Sequence, residues 1–188
     1  QHGAVVAKMK KALVRRLLDE LATKAKAAPA EGETQAKAYE AWWAEFGTVL
    51  KEGLYEDAEN RGRLLELARF RSTKGTGWTS LADYLARMKE GQDAIYYISG
   101  EHHEALRKSP QLEQALARDV EVLLLDDAVD EFWLPEVKEH DGKPFRSLTR
   151  GDVDLSGIPA VTAKEEREGL AEDELKRVLA RLKAALGE

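Results

Sequence analysis

The chain contains no cysteine. That excludes disulfides, zinc–thiolate centres and a thiol nucleophile, and it fits a reducing compartment such as the cytoplasm. An apolar run of about 18 residues, the least a membrane-spanning helix needs, occurs nowhere, so no membrane contact is expected. Several catalytic signatures are missing as well. The loop Lys74–Ser80 has two glycines but no Gly-Lys-Ser/Thr, so it is not a Walker-type phosphate loop. No Gly-x-Ser-x-Gly elbow is present. His102 and His103 are adjacent, so on a helix they point about 100° apart and cannot share a metal as the histidines of HExxH do. A formal net charge of −6 argues against a broad nucleic-acid footprint. There is no signal-peptide pattern and no initiator methionine. The chain starts almost inside a helix at Gln1, and a piece of a larger protein is expected.

What is present is 43% hydrophobic and 34% charged, a globular composition with a densely charged surface. Two short apolar runs, Ala94–Ser99 and Val120–Leu125, frame a polar, helix-forming segment of crossover length. A strand apolar at nearly every position requires cover on both faces, which points to a parallel sheet between helices. Helices supply that cover. Val6, Met9, Leu13, Leu17 and Leu21 mark an amphipathic helix whose outer face carries Lys8, Lys10, Lys11, Arg15 and Arg16. After a loop over 27–34, a second helix runs from about Thr34 to Glu52, with Gly53 placed as its stop. Its stripe of Tyr39, Trp42, Trp43, Phe46, Val49 and Leu50 reads as core. Leu64, Leu65 and Leu67 suggest a short helix, Phe70–Thr73 a strand, and Ser80 the cap of a helix with Asp83 in the capping-box position. Ser109-Pro110 starts a helix in the crossover. The turn His140–Pro144 leads to an edge strand over Phe145–Thr149, and Asp152–Pro159 reads as a linker. A last amphipathic helix, Lys164–Leu186, has an apolar face with little chain left to cover it.

The fold class expected is α/β. A helical connector precedes a small three-layer α/β/α sandwich with a mainly parallel sheet, and a C-terminal amphipathic helix follows. Two constellations could carry chemistry. Asp126, Asp127 and Asp130 follow a buried strand, where doubly wound folds bind ligands and Mg²⁺. The plainer reading is that these acids cap the next helix. Phe132, Trp133 and Leu134 come next, and one short helix can bury only part of that set. Core packing is the commoner fate of such residues, and an exposed patch for another chain is the alternative.

Five stretches in order carry a resemblance: KALVRRLLDEL; YEAWWAEFGTVLKEGLYEDAENRGRLLELARFRS; TSLADYLARMKEGQDAIYYISG; SPQLEQALARDVEVLLLDDAVDEFWL; and HDGKPFRSLTRGDVDL. They resemble the heat shock protein 90 chaperone family, bacterial HtpG type, over nearly the whole chain. The resemblance implies the later part of the middle domain and the start of the C-terminal domain. Residues 1–68 would be the helical connector, 69–155 the small α/β/α subdomain, and 156–188 a linker and the first C-terminal helix. It implies an ATP-dependent chaperone in which ATP and Mg²⁺ bind elsewhere, so this piece should hold no cofactor and catalyse nothing. The family's ATP-sensing loop has a motif like SREILQ, of which Gln1 would be the remnant. Unfolded or partly folded clients are the implied partners, beside other domains of the same chain. Glu131, Phe132, Trp133 and Leu134 align with an acidic–aromatic client-contact stretch. The parent would be a cytoplasmic homodimer, and this piece a monomer or weak dimer. A metal-dependent α/β enzyme built on Asp126, Asp127 and Asp130 is the competing reading, and a purely structural spacer is the third.

Overall fold

The computed structural model describes residues 2–26, 29–150 and 153–161. Three helices come first: α1 (His2–Ala25), α2 (Pro29–Glu56) and α3 (Arg61–Leu67). Then follow β1 (Arg71–Ser72), α4 (Leu81–Ala86), β2 (Ile95–Ser99), α5 (His103–Arg107), a 3₁₀ turn (Pro110–Leu112) and α6 (Glu113–Leu116). The last elements are β3 (Leu123–Leu125), α7 (Asp130–Trp133), β4 (Glu139–His140) and β5 (Lys143–Ser147). The expected α/β class holds. The sheet order is β1-β3-β2-β5-β4, with β3, β2 and β5 mutually parallel and the two flanking strands antiparallel.

The two apolar runs do become the neighbouring parallel strands β2 and β3, with Tyr97 opposite Leu123 and Ser99 opposite Leu125. Alternation divides their side chains between two cores. Ile95, Leu123 and Leu125 face the layer built by α1–α4, together with Trp43, Leu54, Phe70 and Trp133. Tyr96, Ile98, Val122 and Leu124 face Leu106, Leu112 and Ala115 of the crossover. The crossover is broken into α5, the 3₁₀ turn and α6; the Ser109 hydroxyl accepts from the Gln111 N–H, so Ser-Pro does start a new turn. Ser80 caps α4 by accepting from the Asp83 N–H, while the Asp83 carboxylate accepts from the Ser80 hydroxyl. Tyr84 of α4 ties the layers together: its hydroxyl donates to the Glu121 carbonyl and accepts from the Tyr96 N–H and the Gln92 side chain.

Several expectations are corrected. Helix α2 continues through Gly53, because that glycine serves a close approach rather than a stop. A Cβ there would lie 2.8 Å from Leu64 Cδ1 of α3. The residues from Pro29, expected in a loop, already belong to α2. Strand β5 is internal; the hairpin partner β4 is the edge, joined through Asp141 (φ 50°) and Gly142 (φ 72°). On α1 the buried line is Leu18 and Leu21 with Val14 and Ala22 beside them, while Val6, Met9, Leu13 and Leu17 are exposed. Docking on α3 sets this rotation: Asp19 meets Arg63 at 2.5 Å and Lys11 pairs with Glu59. The α2 stripe proves too wide for one face, burying Tyr39 and Trp43 and leaving Phe46 and Val49 exposed. Part of the expected linker is core, since Leu155 and Ile158 are buried and the Val161 N–H donates to the Ala117 carbonyl. Lys164–Leu186 and Gln1 lie outside the described residues.

Arg69 fastens the helical part at one point. It donates to the Ala25 carbonyl at the end of α1 and to the Leu67 carbonyl at the end of α3, a favourable place for a cation. Its guanidinium also lies over the Tyr39 ring at 4.8 Å. Burial pushes the Tyr39 phenol up to about 12, with Arg69 pulling the other way. Burial likewise raises Tyr96 to about 12 and raises Tyr84. Folded-state values above the ordinary 10 mean that this stabilisation is complete below pH 10 and lost as pH rises through about 12. Urea unfolding across that window should show falling stability, with a shallower fall in Tyr39→Phe. An unchanged pH slope in the variant would remove Tyr39 from this account.

Candidate functional site

The region around Phe132 is built by a seam between α2 and the segment from the end of β3 through α7. Residues three and four apart share a helix face, so Thr48, Lys51 and Tyr55 line one side of α2. Each meets a partner across the seam. The Thr48 hydroxyl donates to Asp127 Oδ2 at 2.7 Å. Lys51 Nζ lies 2.8 Å from Asp130 Oδ1 and 3.5 Å from Asp127 Oδ2. The Tyr55 ring stands 5.9 Å from the Phe132 ring.

The middle of the seam is dry. Asp130 is 0% and Lys51 6% exposed, and the Trp133 indole N–H donates to Asp130 Oδ1 at 2.7 Å. The Asp127 backbone N–H donates to Asp130 Oδ2 at 3.3 Å. Burial raises the Asp130 pKa, and Lys51 and the indole N–H pull it back. Trp133 is packed edge-on against Phe145 at 5.6 Å and tilted against Phe70 at 6.0 Å. A four-residue helix has little stability of its own. α7 is held by this pair and this ring, and the hold fixes the direction in which Phe132 leaves it.

At the other end of the seam is a cleft of about 270 Å³. Thr48, Lys51, Arg71, Trp78, Asp126 and Asp127 contribute to its wall. Arg71 lies over the Trp78 ring at 4.0 Å, and His103 Nδ1 lies 3.3 Å from Asp126 Oδ2.

The structure therefore separates the four residues expected at the contact surface. Phe132 is 63% exposed and Glu131 is exposed, Leu134 is half-buried, and Trp133 is 0% exposed. Trp133 is corrected from contact residue to core residue, since its ring is enclosed and its N–H is used. The metal-site reading of Asp126, Asp127 and Asp130 is corrected too. The Asp127 and Asp130 carboxylates go to Thr48 and Lys51, Asp126 Oδ2 stands 3.3 Å from His103 Nδ1, and among the described residues no group of three His, Cys, Asp or Glu could hold a metal ion. Among the described residues no helix is long and apolar enough to cross a membrane. Sequence reasoning missed Lys51 and Tyr55. Ending α2 at Gly53 put Tyr55 off the helix, although its spacing from Thr48 and Lys51 places all three on one face.

The described residues thus combine a parallel core with antiparallel flanks, long helices ahead of it and an exposed aromatic ridge at Phe132 and Tyr55. The sequence matches the family described as Hsp90 protein over residues 1–188, and the chain belongs to that family. It is 49% identical over 190 residues to the chaperone protein HtpG of Paramagnetospirillum magneticum, covering 100% of this chain and 29% of that protein. The HtpG of Roseobacter denitrificans is 48% identical over 191 residues, with the same coverage of 100% and 29%. The chain thus spans about 29% of the length of these relatives. Among solved structures, the middle domain of a Plasmodium falciparum heat shock protein is similar at a TM-score of 0.66 and 29% identity. That likeness covers 77% of this chain and 58% of the other.

Proposed function

We propose that this chain is the part of an ATP-driven chaperone that connects its nucleotide-binding and dimerisation regions and offers clients the Phe132–Tyr55 ridge. The observation that carries the reading is Phe132, a large apolar side chain left 63% exposed on a short helix that is itself anchored from inside. ATP, Mg²⁺ and hydrolysis belong to other parts of the whole protein, and this chain works without a cofactor. The whole protein acts in the cytoplasm as a homodimer, and the isolated chain is a monomer or weak dimer. Residues 1–68 serve as the helical connector, 69–155 as the small subdomain and 156–188 as the passage to the dimerisation region. Glu131, Phe132 and Tyr55 meet unfolded or partly folded clients, with Leu134 at the margin.

The test is fluorescence anisotropy of a labelled, permanently unfolded protein titrated with the chain and with Phe132→Ser. Binding in the micromolar range that weakens about tenfold in the variant is expected, as for an exposed aromatic anchor. Circular dichroism should show the same folded content in both. Equal binding by the two proteins, or none by either, leaves the chain as a connector only.

A further inference from the structure

The ridge and the cleft are the two ends of one seam, and we propose that together they read a two-residue pattern in an extended client segment. An apolar or aromatic side chain rests on Phe132 and Tyr55, and a lysine or arginine three positions away enters the cleft at Asp126 and Asp127. This rests on the client-contact reading and adds the class of segment selected.

Spacing supports the pairing. Thr48, which lines the cleft, and Tyr55, on the ridge, are seven positions apart on one face of α2, about 10 Å along the axis. Three residues of an extended chain span about the same distance. Size supports it as well. At about 270 Å³ the cleft lies just below the range of small-molecule sites, which begins near 300 Å³, and suits a single side chain.

Charge decides the sign. Two cations line the cleft beside the acids, and both are engaged: Lys51 with Asp130 and Asp127, Arg71 with the Trp78 ring and the Thr76 carbonyl. Among the described residues Asp126 is paired with His103 alone, at 3.3 Å, and it is one-third exposed. Between the two ends stand Glu52 and, beside Phe132, Glu131, both exposed and with no ion pair among the described residues. The Tyr55 phenol is raised, first by loss of water and then by the nearby carboxylates of Glu56 and Glu52. A cation three residues from the apolar anchor is attracted along this path, and an anion is repelled.

Labelled twelve-residue peptides test the pattern. One carries Phe-Ser-Gly-Arg in a Gly/Ser background; the others exchange Arg for Glu, exchange Phe for Ser, or place Phe and Arg side by side. At low salt the first should bind the chain about tenfold more tightly than the Glu peptide, with the gap shrinking at high salt. Asp126→Asn/Asp127→Asn should close the gap while thermal unfolding shows that it stays folded; the single Asp126→Asn should narrow it. If the Arg and Glu peptides bind alike, and both still weaken in Phe132→Ser, the cleft assignment falls and the ridge remains. An Arg advantage that is equal at both spacings also overturns the cleft, since it reports only a diffuse field. If Phe132→Ser changes no peptide's affinity, the client-contact reading itself falls.

Discussion

Replacing Asp130 by alanine should destabilise the chain by about 3–5 kcal/mol, because it leaves the Lys51 ammonium buried without its counter-charge. Lys51 is 6% exposed, and its remaining acid, Asp127, stands at 3.5 Å against 2.8 Å for Asp130. The same change removes the acceptor of the Trp133 indole N–H and of the Asp127 backbone N–H. Each orphaned donor adds about 1–3 kcal/mol where water cannot reach it. Chemical denaturation measures the loss. A double variant, Lys51→Met/Asp130→Asn, separates the causes. It removes both charges and keeps an amide oxygen for the indole, so it should recover most of the stability, in line with the small net value of many buried pairs. A double variant as unstable as Asp130→Ala would show that the charge pair itself, rather than the unpaired lysine, holds α7 in place.

The elements that were legible in the sequence are those whose signal is local. The runs over 94–99 and 120–125 have nowhere to go except between two layers; Ile95–Ser99 and Leu123–Leu125 within them are strands covered on each face. Ser80 with Asp83, Ser109 with Pro110, and Asp141 with Gly142 are turn and cap chemistry complete within four residues, and each is found in its expected place. What was not legible depends on a partner far away in the chain. Gly53 is indistinguishable from a helix stop until Leu64 is seen against it. The apolar residues of α1 outnumber what one contact can bury, and the choice of Leu18 and Leu21 over Leu13 and Leu17 is made by α3 and the turn before it, through Arg63 and Glu59. Likewise Leu155 and Ile158 look like isolated apolar residues in a glycine- and proline-containing linker. They become core by joining the cluster of Tyr96, Ile98, Leu112, Ala115 and Val122, which lies far off in the chain.

The candidate site was half legible for the same reason. A triplet of large apolar residues after four acids announces that something unusual follows β3, but helical spacing alone does not tell which ring faces out. The buried acceptor makes that choice. Asp130 is three residues before Trp133, so its carboxylate and the indole N–H meet on the inner face, and Phe132 is turned outward by one helical step. Lys51 completes the selection from across the seam, seventy-nine residues before Asp130, at a distance no local pattern reveals.

Trp133→Ala and Phe132→Ser should therefore give opposite profiles although the residues are adjacent. Trp133 is 0% exposed and touches Phe70 and Phe145, so truncation opens a large cavity and should cost about 3–5 kcal/mol. For a chain of this size that is a fall of roughly 10 °C or more in Tm. The loss is compounded at Asp130, whose carboxylate gives up a charge-assisted donor in a dry site. Phe132→Ser, at 63% exposure, should move Tm by little, within about 0.5 kcal/mol, while weakening the hold on unfolded protein. Differential scanning calorimetry on the two single variants, followed by the binding titration on whichever remain folded, separates the effects. A double Phe132/Trp133 variant would not, because weak binding by a partly unfolded chain carries no information about the ridge. Should Trp133→Ala unfold no earlier than wild type, the anchoring of α7 by its indole is wrong. The direction in which Phe132 points would then have to be fixed by the Lys51–Asp130 pair alone.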